Sequence, residues 1–434
     1  MSVDQDRRLF LKAGTSLLAT AAVAHSHRPS SLYAQETDSP NETIRIAVMG
    51  VNGRGLALAK GFLAAPNAEI VSICDVDSRA AERAAEVIAK AQSRPATVTT
   101  DIRRVLEDKS IDALVVAAPN HWHAPATILG CAAGKHVYVE KPCSQTAEEG
   151  ELSVQAARKY DRVVQMGSQR RSWPAIIEAV NEMHAGKIGE VHYARSWYNN
   201  RRGSIGTGEQ AAVPEWLDWD LWQGPAPRRP FVDNMVHYNW HWVWHWGNGE
   251  LGNNGPHGLD VARWGLGVTY PHRVTAGGGK FRHKDDQETP DTMMVTYDFP
   301  EGKTITWEGL SWSALGPHDT GFGVSFHGTE GSIVVRDAGY VLYDIKNKEI
   351  DKKSAAAGDK DHLANFLDCI RSGSRPNADI EEGHRSTLLC HLGNIAYRTQ
   401  SVLKIDPASG HIVDNADAQK LWGREYEKNW EPKV

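Results

Sequence analysis

The chain has 434 residues, 41% of them hydrophobic and 24% charged. It exceeds one ordinary core of about 100–200 residues, so two domains are expected, and its globular composition excludes a disordered or fibrous protein. A formal net charge of −6 without a compensating basic stripe argues against nucleic acid and anionic membrane as partners, and no later apolar run reaches the about 20 residues of a membrane span.

Residues 1–42 read as an export signal and linker. The stretch "DRRLFLKAGTSLLATAAVA" joins Arg7-Arg8 to a short apolar run ending in Ala22-Val23-Ala24, which is a signal-peptide layout. The Arg pair followed by Leu9-Phe10-Leu11-Lys12 resembles a twin-arginine signal, implying export of an already folded protein to the periplasm or another extracytoplasmic space. Cys74, Cys131, Cys143, Cys369 and Cys390 are odd in number and lack C-x-x-C spacing. They suggest small buried hydrophobes rather than a disulfide framework or zinc knuckle, in keeping with folding and cofactor loading before export.

The next stretch, "TIRIAVMGVNGRGLALAKGFLAAPNAEIVSICDVD", is an apolar run, a glycine cluster, a helical stretch and a second apolar run ending in an acid. This is a βαβ unit. Its turn, Gly50-Val51-Asn52-Gly53-Arg54-Gly55, is a variant dinucleotide fingerprint, with glycines that let main-chain amides approach a pyrophosphate at a helix N-terminus. Asn52 stands at the second glycine position and tolerates left-handed backbone better than most residues. A lone glycine cluster equally suits a plain strand-to-helix turn. Asp75, about 20 residues beyond Gly55, adds weight, because a carboxylate there accepts from the adenosine ribose hydroxyls and favours NAD over NADP. Arg79 nearby leaves NADP open as the lesser choice.

Further on, "AAPNHWHAPA" (117–126) and "GKHVYVEKP" (134–142) repeat the pattern of turn, helix and strand. Placed after a glycine turn at this distance, the pair resembles the Gfo/Idh/MocA oxidoreductases, NAD(P)-dependent enzymes acting mostly on sugars and cyclitols. The resemblance runs from about Thr43 to Leu403. It implies an α/β architecture: an N-terminal Rossmann domain, a doubly wound parallel sheet over 43–162, then an α+β domain over 163–434 with a large open, mainly antiparallel sheet. One face of that sheet often makes oligomer contacts, so a homo-oligomer, dimer or tetramer, is implied. Position by position, the resemblance makes Glu140 the holder of the nicotinamide ribose and brings Lys141 to the oxygen of the reacting carbon. An ammonium there stabilises an alkoxide or, with a lowered pKa, helps remove the hydroxyl proton. Pro119, Asn120 and His123 fall on the preceding crevice loop as cofactor contacts, the plain alternative being a helix N-cap region with His123 satisfied by main chain.

In the second domain "VHYARSWY", "TMMVTYDF", "KTITWEG" and "GVSFHGTEGSIVVRD" alternate or carry β-branched and aromatic runs, as strands do. Near the end, "DHLANFLDCIRSG" and "EEGHRSTLLCHLGNIAYRTQSVL" have helical spacing and read as a covering pair. Between the first strands lies an insertion, 199–246, holding a large share of the chain's 15 tryptophans. Indoles stack on sugar C–H faces, while a core plug or subunit interface is the plain alternative. Its end, "NWHWVWHW", alternates as a strand would, which puts His241 and His245 about 13 Å apart at the rise of a strand, too far for one metal. No metal site is expected. His237, Tyr238, Trp240 and His241 are candidates for sugar contact, and Arg170 for a substrate carboxylate or phosphate, although Arg170-Arg171 and Arg201-Arg202 also suit solvated surface.

The stretch "GNGELGNNGPHGLDVARWGLG" matches the family's glycine turn, D-x-x-x-H pair and helix, with His257 at the histidine and Asn253 at the aspartate. Without that carboxylate, acid and base work falls to His257 and Lys141, and Asn253 orients. Asp260 stands ready to orient His257 or to pair with Arg263. The expected function is an NAD-dependent sugar oxidoreductase with a carbohydrate substrate. One alternative is an NAD-dependent glycosidase working by transient oxidation and elimination with a retained cofactor. The other is a non-catalytic carbohydrate-binding protein.

Overall fold

The computed structural model describes residues 43–434; the expected signal and linker, 1–42, lie outside the described residues. Six strands, β1 (Ile44–Met49), β2 (Ala68–Cys74), β3 (Thr97–Thr99), β4 (Ala113–Val116), β5 (His136–Val139) and β6 (Val164–Met166), form a wholly parallel sheet in the order β3-β2-β1-β4-β5-β6. Helices α1 (Arg54–Leu63), α2 (Ser78–Ala89), α3 (Ile102–Glu107), α4 (Asn120–Ala132) and α5 (Ala147–Lys159) connect them. The central strands are apolar along their whole length, as "ALVV" of β4 is, because helices cover both faces of a parallel sheet. The order reverses between β1 and β4, and that switch point opens the crevice in which such folds bind ligands.

After α6 (Pro174–His184), β7 (Val191–Asn199) enters a second sheet of ten strands. The insertion follows, with α7 (Trp219–Gln223), and then α8 (Gly249–Asn253) and α9 (Gly255–Leu266). Strands β8 (Arg273–Gly279), β9 (Thr292–Phe299), β10 (Lys303–Leu310), β11 (Phe322–Gly328), β12 (Gly331–Arg336), β13 (Gly339–Asp344) and β14 (Glu349–Ser354) come next. Helices α10 (Lys360–Ser372) and α11 (Ile380–Thr399), strands β15 (Leu403–Ile405) and β16 (Ile412–Val413), and α12 (Ala416–Gln419) close the chain. The sheet is antiparallel except where β7 and β10 run parallel. Strand β9 shows how it is covered: alternate residues Met293, Val295 and Tyr297 are buried beneath α11, while Met294 on the other face is 53% exposed.

Two sequence expectations are corrected. The last two long helices are not a covering pair: α11 packs on the second sheet through Leu388, Leu389 and Leu392. Helix α10 returns to the first domain, where Leu363, Phe366 and Leu367 join Phe62 and Tyr138 in one core. Nor is the "NWHWVWHW" segment a strand. Asn239–Trp242 is a 3-10 helix continued by a turn, with His241 N donating to Tyr238 O and Val243 N to Trp240 O. Two of its indoles, Trp240 and Trp246, join Trp219 and Trp222 of α7 in a core with Leu217, Phe231 and Met235. Trp219 and Trp222 are stacked at 4.7 Å, and Trp246 meets both edge-on. Indoles that large leave water when a short loop can fold them onto one another.

Candidate active site

A cleft of about 690 Å³ opens where β1, β2, β4 and β5 end, and its wall draws on both sheets' connections, including Gly50, Asp75, Glu140, Lys141, Asn253 and His257. The glycine turn is shaped for close approach. Gly50 adopts φ +81°, and a Cβ on it would meet the main chain of Ala117 and Ala118 at 2.8 Å, while one on Gly55 would meet Gly50 O at 1.8 Å. Gly53, the N-cap of α1, gives no side-chain cap, so first-turn amides remain free to meet an anion on the cleft side. Asp75 accepts from Val51 N at 2.6 Å and Asp77 N at 2.9 Å. Burial raises its pKa against these two amides. These residues fit a dinucleotide, with pyrophosphate at α1 and ribose at Asp75. Asn52 takes the second glycine's place for another reason than backbone tolerance. It is absent from the left-handed residues, lies exposed and accepts from Arg83 at 2.8 Å.

Pro119 is the N-cap of α4, and Asn120 on its first turn donates to Asn248 Oδ1 at 2.9 Å. His123 is spent on the scaffold: Nδ1 faces Pro142 O at 2.6 Å and Nε2 faces Ala118 O at 2.7 Å. Both ring nitrogens face main-chain carbonyls, one of them taking the single N–H of the neutral ring, while the residue itself stands among those lining the cleft. Burial lowers its pKa, and the ring ties together the two loops that edge the cleft.

At the other end Lys141 Nζ donates to Asn253 O at 2.7 Å and to Asn253 Oδ1 at 3.0 Å. Burial lowers the ammonium's pKa, and Glu140 and Glu250 oppose the shift. His257, on the first turn of α9, has a buried Nδ1 with no hydrogen-bond partner among the described residues. Burial, then the charges of Arg170 and Lys141, hold its pKa well below the usual histidine value, so the imidazole is neutral. Asp260 plays neither expected part; it takes Arg171 in a fork at 2.8–3.0 Å and accepts from Ser386.

Several expected substrate contacts are redistributed. Tyr238, Trp240 and His241 line the cleft, with His241 stacked on Trp240 at 3.6 Å and bonded to Tyr238 O. Burial lowers His241 to about 3. His237 goes to the opposite, adenosine end, where Nε2 meets Asp77 Oδ2 at 2.8 Å. His245 bonds Pro227 O, so the three histidines diverge. Arg170 is not among the cleft-lining residues; its guanidinium lies over Phe322 at 4.0 Å and Trp173 at 5.0 Å.

Arg54, expected among the cofactor contacts, lines the cleft, but its partner Asp359 was not legible beforehand. Arg54 donates through Nε to Glu140 at 2.7 Å and in a fork to Asp359 at 2.6 and 2.9 Å, so Asp359, the residue before α10, joins the wall. Arg202 donates to Glu250 at 2.7 Å and to the Tyr238 hydroxyl at 2.9 Å, carrying the insertion onto α8. Leu221 and Trp222 also line the cleft. The Trp222 carbonyl is bonded by His121 at 2.9 Å and by the Trp122 indole at 3.0 Å. Asp359 carried a hint, since an acid before a helix reads as an N-cap, but nothing in its spacing points to Arg54.

Residues 44–168 match the model of an oxidoreductase family with an NAD-binding Rossmann fold, and 191–432 match that family's C-terminal alpha/beta domain. Among curated relatives, an alpha-N-acetylgalactosaminidase of Shewanella oneidensis is 28% identical over 208 residues, 44% of this chain and 45% of that protein. The chain thus matches less than half the length of that relative. The scyllo-inositol 2-dehydrogenase (NAD(+)) of Bacillus subtilis is 25% identical over 353 residues, 77% of this chain and 88% of the relative. A solved levoglucosan dehydrogenase, in complex with NADH and levoglucosan, superposes with a TM-score of 0.67 at 19% identity, covering 83% of this chain and 99% of that one. With both domain models matched in order across most of its length, the chain belongs to the Gfo/Idh/MocA oxidoreductase family, whose Rossmann domain binds NAD.

Proposed function

We propose that the protein is an NAD-dependent oxidoreductase that moves a hydride between a hydroxyl-bearing carbon of a sugar or cyclitol and the nicotinamide of a cofactor in this cleft. The observation that carries the reading is the Lys141 ammonium, partly buried on the cleft wall, held by both oxygens of Asn253 and in no ion pair among the described residues. Its charge is available to an oxygen that becomes anionic as hydride leaves the carbon. His257, held neutral, accepts the hydroxyl proton. Asn253 fixes the lysine. Glu140 serves the nicotinamide ribose, Asp75 the adenosine ribose and the turn from Gly50 to Gly55 the pyrophosphate. Bound NAD supplies the hydride acceptor. Trp240, Tyr238 and His241 offer the sugar an aromatic wall. The cyclitol dehydrogenase relative and the levoglucosan dehydrogenase structure support this substrate class.

A second reading, the NAD-dependent glycosidase, is favoured by the insertion. Ser78 N donates to Trp216 O and Asp218 N to Val76 O, both at 3.0 Å, which lays the insertion across the end of β2. Cover at that end would slow cofactor exchange, and a retained cofactor would suit a cycle that oxidises a ring hydroxyl, acidifies the neighbouring C–H, eliminates the aglycone, adds water and returns the same hydride. The galactosaminidase relative supports it. The proposal also takes the chain as exported by the twin-arginine route and as a homo-oligomer through the open sheet face that carries Met294 and the 39%-exposed Trp312.

One assay separates the readings. Purified protein is incubated with aryl glycosides, and separately with free sugars plus NAD, while aglycone and NADH are followed together. Stoichiometric NADH from free sugars supports the dehydrogenase; aglycone without net NADH supports the glycosidase. If Lys141→Met and His257→Asn both leave turnover intact, neither catalytic reading survives.

A further inference from the structure

Arg79 lies beside Asp75 at the adenosine end, and in this fold an arginine so placed accommodates the 2′-phosphate of NADP. Its guanidinium is not in the cleft. Nε and Nη2 donate to the two carboxylate oxygens of Asp77 at 3.1 and 3.0 Å, and the group lies 3.4 Å from the centre of the Trp216 ring. Trp216 belongs to the insertion and is fixed by main chain: its carbonyl accepts from Ser78 N, Asp218 N donates to Val76 O, and Leu217 pairs with Asp77 in an antiparallel bridge. A second group of the insertion, His237 Nε2, reaches Asp77 Oδ2 at 2.8 Å. Asp77 is 1% exposed and the Arg79 side chain 49%, so the guanidinium is drawn to Trp216 by pairing with a buried carboxylate rather than by being buried itself. Asp75, meanwhile, stands on the cleft wall with two main-chain amides and no cation hydrogen-bonded to it.

We infer that the Trp-rich insertion selects the cofactor: it holds Arg79 on Trp216 and Asp77, away from the adenosine 2′ position, so that a 2′-phosphate meets Asp75 without a free guanidinium. The inference rests on the reading that this cleft holds a dinucleotide. Selectivity is thereby assigned to residues remote in sequence, Trp216 and His237, as well as to the strand end, and Arg79 is a latent NADP ligand.

The test measures NADH and NADPH affinities by energy transfer from tryptophan to nicotinamide. It uses the natural chain, Asp77→Asn and Trp216→Ala, and each variant again with Arg79→Ala. Asn caps a helix as well as Asp does, so the first variant keeps α2 intact if the second fails to fold. In both single variants the NADPH affinity relative to NADH is expected to rise about tenfold, the worth of one charge-assisted hydrogen bond, and Arg79→Ala is expected to abolish the gain. An unchanged ratio, or a gain that persists without Arg79, overturns the inference while leaving the cofactor reading in place. Failure of the natural chain to bind either nucleotide overturns both.

Discussion

On the proposed reading, Asn253 in place of an aspartate sets the charge around Lys141 and His257. An amide oxygen orients Lys141 without neutralising it, and no carboxylate restores the ordinary basicity of His257. Lys141→Met and His257→Asn are each expected to cut kcat by about 10²–10⁴, the usual worth of a positioned acid or base, with thermal unfolding little changed. The pH profile follows from the same shift. Because burial and two neighbouring cations lower the His257 pKa, kcat/KM for sugar oxidation should stay level as pH falls through the usual histidine value and decline only below it. Asn253→Asp, by favouring the protonated imidazole, should move that decline to higher pH. A decline centred on the usual value in the natural chain would contradict this assignment. The place of Lys141, Asn253 and His257 on the cleft wall was legible because they sit in contiguous motifs, "VEKP" and "GNNGPH". His237 and Arg170 were not, since the direction of each side chain is set by remote partners: Asp77 for one, Phe322 and Trp173 for the other.

Strands and helices with regular periodicity could be read directly: β7, β9, β10, α10 and α11 lie where alternation or helical spacing puts them. The insertion could not. Its alternating tryptophans mimic a strand, yet burial of stacked indoles outweighs the extended backbone and turns the segment through a 3-10 helix. What the insertion gives the site is cover. Trp222 is 3% exposed, its ring packs on Trp219 and Trp246, and its carbonyl anchors His121 and Trp122 of α4. Trp222→Ala should cost about 3–5 kcal/mol as a core truncation, and because Leu221 and Trp222 line the cleft it should also speed NAD release. A stopped-flow chase of bound NADH with excess NAD measures the second effect; unchanged release with lowered stability would leave Trp222 a packing residue only.

Across the molecule the two sheets share one site because side chains cross between them. Arg54 joins the glycine turn to Glu140 and to Asp359 before α10, and Lys141 joins β5 to α8. The buried histidines that pack these elements set the acid limit. Burial lowers His362 and His384 to about 4 and His391 to about 3. In the unfolded chain they titrate near about 6.5, so stability is complete above that value. It is lost as pH falls toward the folded values, at about 1.4 kcal/mol per pH unit for each, because the unfolded state takes up protons that the folded state refuses. Urea unfolding at pH 7.5, 6 and 5 should show midpoints dropping most steeply below pH 6; a flat series would mean that these rings are not buried neutral.

By itself the sequence determined the family, the parallel sheet and its glycine turn, the order of the domains and a lysine and a histidine that line the cleft, because short-range periodicity and contiguous motifs encode these. Only the tertiary structure decided which way the insertion folds, that α10 returns to the first sheet, that Arg79 is held by Trp216 and Asp77, and that Arg54 reaches Asp359. Each of these depends on a contact between residues far apart in the chain, where burial and charge pairing choose among partners that local spacing cannot rank.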